Sequence, residues 1–88
     1  MTSPPITIYT AGWCPYCQRA KGLLTQKNLP FSEIDVDDDA KSREEMAARS
    51  GRRTVPQIFI GDRHVGGCDD LFALEDSGEL DRLIQGAR

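Results

Sequence analysis

The sequence has no long apolar run, no basic excess, a single histidine and only 7% aromatic residues, and each shortage removes a class of function. Nothing approaches the ~18 consecutive apolar residues of a membrane span. The start, Met1-Thr-Ser-Pro-Pro5, lacks the basic n-region of a signal peptide, so a cytoplasmic address is expected. Lys and Arg number 11 against 14 Asp and Glu, a formal net charge of −3. That balance argues against nucleic acid, whose phosphates require a basic stripe. The cysteines are few and odd in number, 3, which excludes the even-numbered disulfide framework of a small secreted protein. With 88 residues, residues 1–88 are expected to form a single domain, because a second core needs roughly 100 more. No large apolar face is left over once the core is assigned, so a monomer is expected.

The apolar pattern changes period along the chain. Ile6-Thr-Ile-Tyr-Thr10 is β-branched and aromatic and reads as a strand. Cys14-Pro15 opens a helix whose stripe is Cys17, Ala20, Leu23 and Leu24, and Asn28-Leu-Pro30 ends it. Phe31–Val36 alternates as a second strand. Residues 40–49 read as a second helix, with Ser42 and Glu45 at capping-box spacing and Gly51 as its C-cap. The acidic run Asp35-Val-Asp-Asp-Asp39 reads as a strand end followed by a helix N-terminus, where carboxylates suit the dipole and cap backbone N–H groups. Gln57–Ile60 and Arg63–Val65 form a hairpin about Gly61-Asp62, and helices follow over Asp69–Asp76 and around Leu80, Leu83 and Ile84. The order β-α-β-α-β-β-α-α predicts an α/β fold on the thioredoxin plan, a four-stranded mixed sheet flanked by helices. Tyr9, Phe31, Phe59 and Phe72 are read as core, and His64 as a surface residue of a short hairpin strand.

Cys14-Pro-Tyr-Cys17 stands at a strand-to-helix junction, the setting in which C-x-x-C reads as a redox pair. A cysteine at a helix N-terminus faces unpaired backbone N–H groups and the positive dipole end, which favour a thiolate. Cys14 is therefore the expected nucleophile. Cys17, three residues on along one helical face, is the expected resolving thiol. A structural zinc site would need Cys68 and His64 as well, and neither belongs to a second ligand pair, so no metal is expected. Thr54-Val55-Pro56 precedes the third strand, where a cis proline would leave the Val55 N–H and C=O free for an extended peptide. Gly66-Gly-Cys-Asp-Asp70 provides a sharp turn into a helix whose first N–H groups can hold a carboxylate, while Asp69 or Asp70 can pair with an ammonium. A carboxylate beside an ammonium describes the γ-glutamyl end of glutathione.

In this order and spacing, the three motifs Cys14-Pro-Tyr-Cys17, Thr54-Val-Pro56 and Gly66-Gly-Cys-Asp-Asp70 resemble those of the dithiol glutaredoxins, a branch of the thioredoxin superfamily, from Ile6 to about Ile84. The resemblance implies a thioredoxin fold with a cis Val55–Pro56 bond and a glutathione site. It implies Cys14 and Cys17 as catalytic residues. Glutathione would be held by Tyr16, Arg53, Thr54, Val55, Pro56, Gly67, Cys68, Asp69 and Asp70. The implied activity is glutathione-dependent reduction of protein disulfides and glutathione mixed disulfides, with glutathione as reductant. The partners are then glutathione and proteins carrying disulfides or glutathionylated cysteines, with no nucleic acid or membrane. The sequence departs from the family at Ala11, where members usually carry a lysine, and the cations Arg49, Arg52 and Arg53 stand as substitutes, with Arg53 preferred for the glycyl carboxylate. Trp13 before the nucleophile is similar to the thioredoxin arrangement. Two rival readings stand beside it: a glutathione-linked 2Fe–2S carrier, disfavoured by the stiff Pro15, and a redoxin served by a thioredoxin reductase, disfavoured by the glycine–cysteine–aspartate turn.

Overall fold

The computed structural model describes residues 4–85. Its elements, in chain order, are β1 (Ile6–Thr10), α1 (Pro15–Gln26), β2 (Ser32–Asp35), α2 (Ala40–Ser50), β3 (Gln57–Ile60), β4 (Arg63–Gly66), α3 (Cys68–Ser77) and α4 (Glu79–Ile84). The four strands form one sheet in the order β2-β1-β3-β4. β1 pairs with β2 in parallel and with β3 antiparallel, and β3 with β4 antiparallel. The βαβ unit, the hairpin and the element order are those the sequence predicts.

The strand alternation sorts the interior into two layers. Ile6, Ile8, Ile58 and Ile60 face α1, α3 and α4, burying against Ala20, Leu23, Leu24, Leu71, Leu80 and Ile84. On the opposite face Tyr9 and Phe59 pack with Val36 and with Met46 of α2, the two rings meeting edge to face at 5.9 Å between centroids. Phe31 and Phe72 are half-buried against the first layer. Both faces of the central pair β1–β3 are thereby covered. That is why the strand Gln57-Ile-Phe-Ile60 is buried along its whole length.

The element ends differ from the sequence expectation where side chains compete for backbone N–H groups. Ser42 and Glu45 do not cap α2. Asp39 is its N-cap, with extended backbone (φ −148°, ψ 104°), and its carboxylate accepts from the Lys41 N–H at 3.0 Å. The Ser42 hydroxyl donates instead to Asp39 at 2.9 Å. That bond, and then the Lys41 N–H, hold the Asp39 carboxyl below its ordinary value. Gly51 is the C-cap as expected, with a left-handed φ of 75°. α1 stops at Gln26, before the predicted breaker, and Asn28 takes the positive φ of 60° that turns the chain. Lys27 then ties this corner to α3 and α4 through Glu75 at 2.8 Å and Asp81 at 2.9 Å.

Candidate active site

The loop after β1 is a tight turn in which the Cys14 N–H donates to the Ala11 carbonyl at 3.1 Å. Cys14 is the N-cap of α1 with Pro15 in the first turn, and its own carbonyl accepts from the Cys17 and Gln18 N–H groups at 3.1 and 3.3 Å. One helical turn therefore sets Cys14 and Cys17 side by side in a small buried cluster with Ala11. All three cysteines are free thiols. Burial pushes the Cys17 thiol up to about 12; a backbone hydrogen bond with Ala11 opposes the rise and a hydrogen bond with Cys14 adds to it.

The Val55–Pro56 peptide is cis, and the Cys14 thiol donates to the Val55 carbonyl oxygen at 3.7 Å. Val55 belongs to the wall of a cleft of about 220 Å³, which Tyr16, Thr54, Pro56, Gly67, Cys68, Asp69 and Asp70 also line. Three segments far apart in sequence thus meet here: the start of α1, the segment before β3 and the start of α3. Gly66 makes the third approach possible. Its φ of 121° suits a residue without a side chain, and an added Cβ would run into the Asp70 carboxylate. That carboxylate bends back to accept from the Gly67 N–H at 2.9 Å, closing the N-terminus of α3. Burial raises the Cys68 thiol above its ordinary value.

The cations separate into distinct roles. Arg53 does not reach the cleft; its guanidinium turns outward to Glu44 at 3.4 Å. Arg52 lines the cleft in its place, 3.6 Å from Asp70. Arg49 is stacked 4.0 Å above the Phe59 ring and donates to the Tyr9 hydroxyl at 3.0 Å, so it braces the sheet. Ala11, 1% exposed, packs against the two thiols. Among the described residues Trp13 and Tyr16 are the exposed large apolar ones, both next to the cysteine pair. The Trp13 indole donates to Asp37 at 3.3 Å, and Asp37 is also 3.5 Å from Arg43.

Gln57 is the cleft residue that sequence reasoning missed. The signal was a polar residue opening an otherwise apolar, fully buried strand. His64, read as a surface residue, is half-buried: its ring lies 4.9 Å from that of Phe59, and its Nε2 is 2.7 Å from Gln57 Oε1. Among the described residues no group of three or more His, Cys, Asp or Glu is placed to hold a metal ion. No helix among them is long and apolar enough to cross a membrane.

Comparison with known proteins points in one direction. The family model described as glutaredoxin matches residues 6–65. The chain is 57% identical over 81 residues to a glutaredoxin of Pseudomonas aeruginosa, covering 92% of this chain and 96% of that one. Its structure resembles the solution structure of a glutaredoxin from Brucella melitensis, with a TM-score of 0.87 at 53% identity over 100% of this chain and 96% of the other. It also resembles a buckwheat glutaredoxin–glutathione complex, with a TM-score of 0.86 at 29% identity over 94% of this chain and 78% of that one.

Proposed function

Since the chain belongs to the glutaredoxin family, whose members are glutathione-dependent thiol–disulfide oxidoreductases, we propose that it reduces glutathione mixed disulfides and protein disulfides through Cys14 and Cys17. The observation that carries this reading is the Cys14 thiol at the N-cap of α1, held 3.7 Å from the Val55 carbonyl in the wall of the cleft.

In this reading the extended cysteinyl part of glutathione lies along Val55, beside the cis proline. Its γ-glutamyl carboxylate meets the N–H groups at the start of α3, and its ammonium meets Asp69 or Asp70. Arg52 takes the glycyl carboxylate, a role the sequence assigns to Arg53, because Arg52 lines the cleft while Arg53 turns outward to Glu44. The Cys14 thiolate attacks the glutathione sulfur of a mixed disulfide. The old S–S bond breaks, the substrate leaves as a thiolate that takes a proton from water, and Cys14 becomes glutathionylated. The thiolate of a second glutathione then attacks the glutathione sulfur, forming glutathione disulfide and restoring Cys14. In the alternative branch Cys17 loses its proton and attacks the Cys14 sulfur, releasing glutathione and closing a disulfide between the pair. Two glutathiones then reopen it. Burial keeps Cys17 protonated at neutral pH, which supports Cys14 as the first nucleophile.

The test is reduction of the mixed disulfide between glutathione and hydroxyethyl thiol. Cys14→Ser is expected to abolish turnover, and retained turnover would sink the assignment. Cys17→Ser is expected to keep this activity and lose reduction of protein disulfides. Coupling to glutathione reductase is expected to support cycling that thioredoxin reductase does not, which separates glutathione from the rival electron donor.

A further inference from the structure

A buried glutamine joins the hairpin to the loop that carries Val55. Gln57 is 1% exposed. Its Nε2 donates to the Thr54 carbonyl at 3.0 Å and lies 3.2 Å from the Thr54 hydroxyl. A carbonyl oxygen only accepts, so this contact fixes which end of the amide faces Thr54. The other end, Oε1, faces His64 Nε2 at 2.7 Å and must meet an N–H there. The imidazole is therefore the Nε2–H tautomer, with its ring held against Phe59. His64 is not among the residues lining the cleft, whereas Gln57 and Thr54 are.

We propose that His64 is a positioning residue for glutathione: acting through Gln57, it holds Thr54, and with it the Val55 backbone, in the conformation that receives the tripeptide. This rests on the glutathione reading above. Among the described residues every buried side-chain polar atom has a hydrogen-bond partner, so loss of the His64 N–H orphans the Gln57 oxygen. The amide then either stays unpaired or turns its oxygen toward the Thr54 carbonyl, where two acceptors repel. The first response leaves the Thr54 bond on an amide that has lost its second anchor, the second breaks that bond, and either one adds to the cost of ordering the loop on binding. Burial and the charges of Arg52 and Arg49, opposed by Asp70, lower the imidazole's pKa, so the ring is neutral at neutral pH.

The experiment compares His64→Phe, which keeps the ring stack and removes the donor, with His64→Gln, which restores a side-chain N–H at a similar reach. Steady-state kinetics use a glutathionylated peptide, and S-methylglutathione serves as an unreactive binding probe. His64→Phe is expected to raise both KM and the dissociation constant by about threefold to tenfold, the weight of one hydrogen bond, with kcat within about twofold. His64→Gln is expected to recover most of the loss. In NMR spectra the Gln57 side-chain NH2 protons are expected to exchange slowly with solvent in the wild type and in His64→Gln, and quickly in His64→Phe. Wild-type KM in His64→Phe, a fall in kcat without a rise in KM, or a His64→Gln variant as poor as His64→Phe would each overturn the proposal. A wild-type protein that neither turns over the peptide nor binds the probe defeats the glutathione reading instead. The Gln57 NH2 exchange rates report on the His64–Gln57 bond whichever way that result falls.

Discussion

Arg52 Nη1 stands 3.6 Å from Asp70 Oδ2, so the cation at the cleft is held by the same carboxylate that closes the start of α3. One acid thereby orders both the helix terminus and the guanidinium that the proposed binding mode assigns to the two carboxylates of glutathione. Arg53, next in the chain, is drawn away by Glu44. Both arginines are solvent-exposed, which limits what either charge contributes. Arg52→Ala is expected to raise KM for a glutathionylated peptide by about twofold to fivefold, and Arg53→Ala to change it less than about twofold. Steady-state kinetics on the two variants would check the order, and the reverse order would return the role to Arg53.

Cys17 is shielded twice, by complete burial and by a proton it keeps to about 12. Alkylation of the native protein with iodoacetamide, followed by peptide mass mapping, is expected to label Cys14 first and leave Cys17 unmodified at pH about 7. The sign for stability follows from the same shift. A thiol whose folded value lies above its unfolded one stabilises the fold fully below the unfolded value, and that contribution drains away as pH rises toward about 12. Cys17→Ala should therefore unfold with a flatter dependence on alkaline pH than the wild type, as followed by denaturant titration.

Gly66 and Gly22 make opposite predictions for the same substitution. Gly66→Ala places a methyl group in a positive-φ residue and against the Asp70 carboxylate, and is expected to cost about 1–3 kcal/mol while loosening the cap on Gly67. Gly22 is exposed inside α1 with nothing near its absent Cβ, so Gly22→Ala is expected to stabilise by about 0.5–1 kcal/mol. Urea unfolding of both variants measures the pair against one reference.

Glu33 joins three elements, accepting from Lys21 of α1 at 2.9 Å and from Thr10 of β1 at 2.7 Å while standing on β2. Lys21 first, and then Thr10, hold its carboxyl below the ordinary value. A carboxylate lowered in the fold stabilises it above the unfolded value and loses that effect as pH falls through the folded one. The wild type is accordingly expected to melt above Glu33→Gln at pH about 7 and to lose that margin as pH falls below the ordinary glutamate range, as read by circular dichroism.

The element order was legible because each change of apolar period is local: Ile6–Thr10 alternates, Cys17 to Leu24 recurs on one helical face, and Gly61-Asp62 sits between two short strands. The motifs lining the cleft were legible for a related reason, since each depends on chemistry that few residue types supply. What the sequence concealed were choices between neighbours. Asp39 and Ser42 can each cap a helix, and the winner was decided by which residue has extended backbone when Ala40 begins to coil. Arg52 and Arg53 differ by which side of the chain they leave, one toward Asp70 and the other toward Glu44, and adjacency in sequence does not reveal it. Gln57 and His64 carry no motif at all. Their meeting depends on β3 and β4 lying side by side, with a register shift at Ile58/Phe59 that sets His64 opposite Phe59.

Trp13 is an exposed ring fastened to Asp37, directly before Cys14 in the chain. It is also the single tryptophan of the sequence. Any change of charge or oxidation state at the first thiol therefore occurs beside the one indole in the protein, and excitation at the red edge, where the two tyrosines do not absorb, reads that indole alone. The molecule carries its own optical gauge. The proposed glutathionylation and release at Cys14 can be timed in a stopped-flow fluorimeter without a label, and Asp37→Ala gives the control in which the indole is released from its anchor.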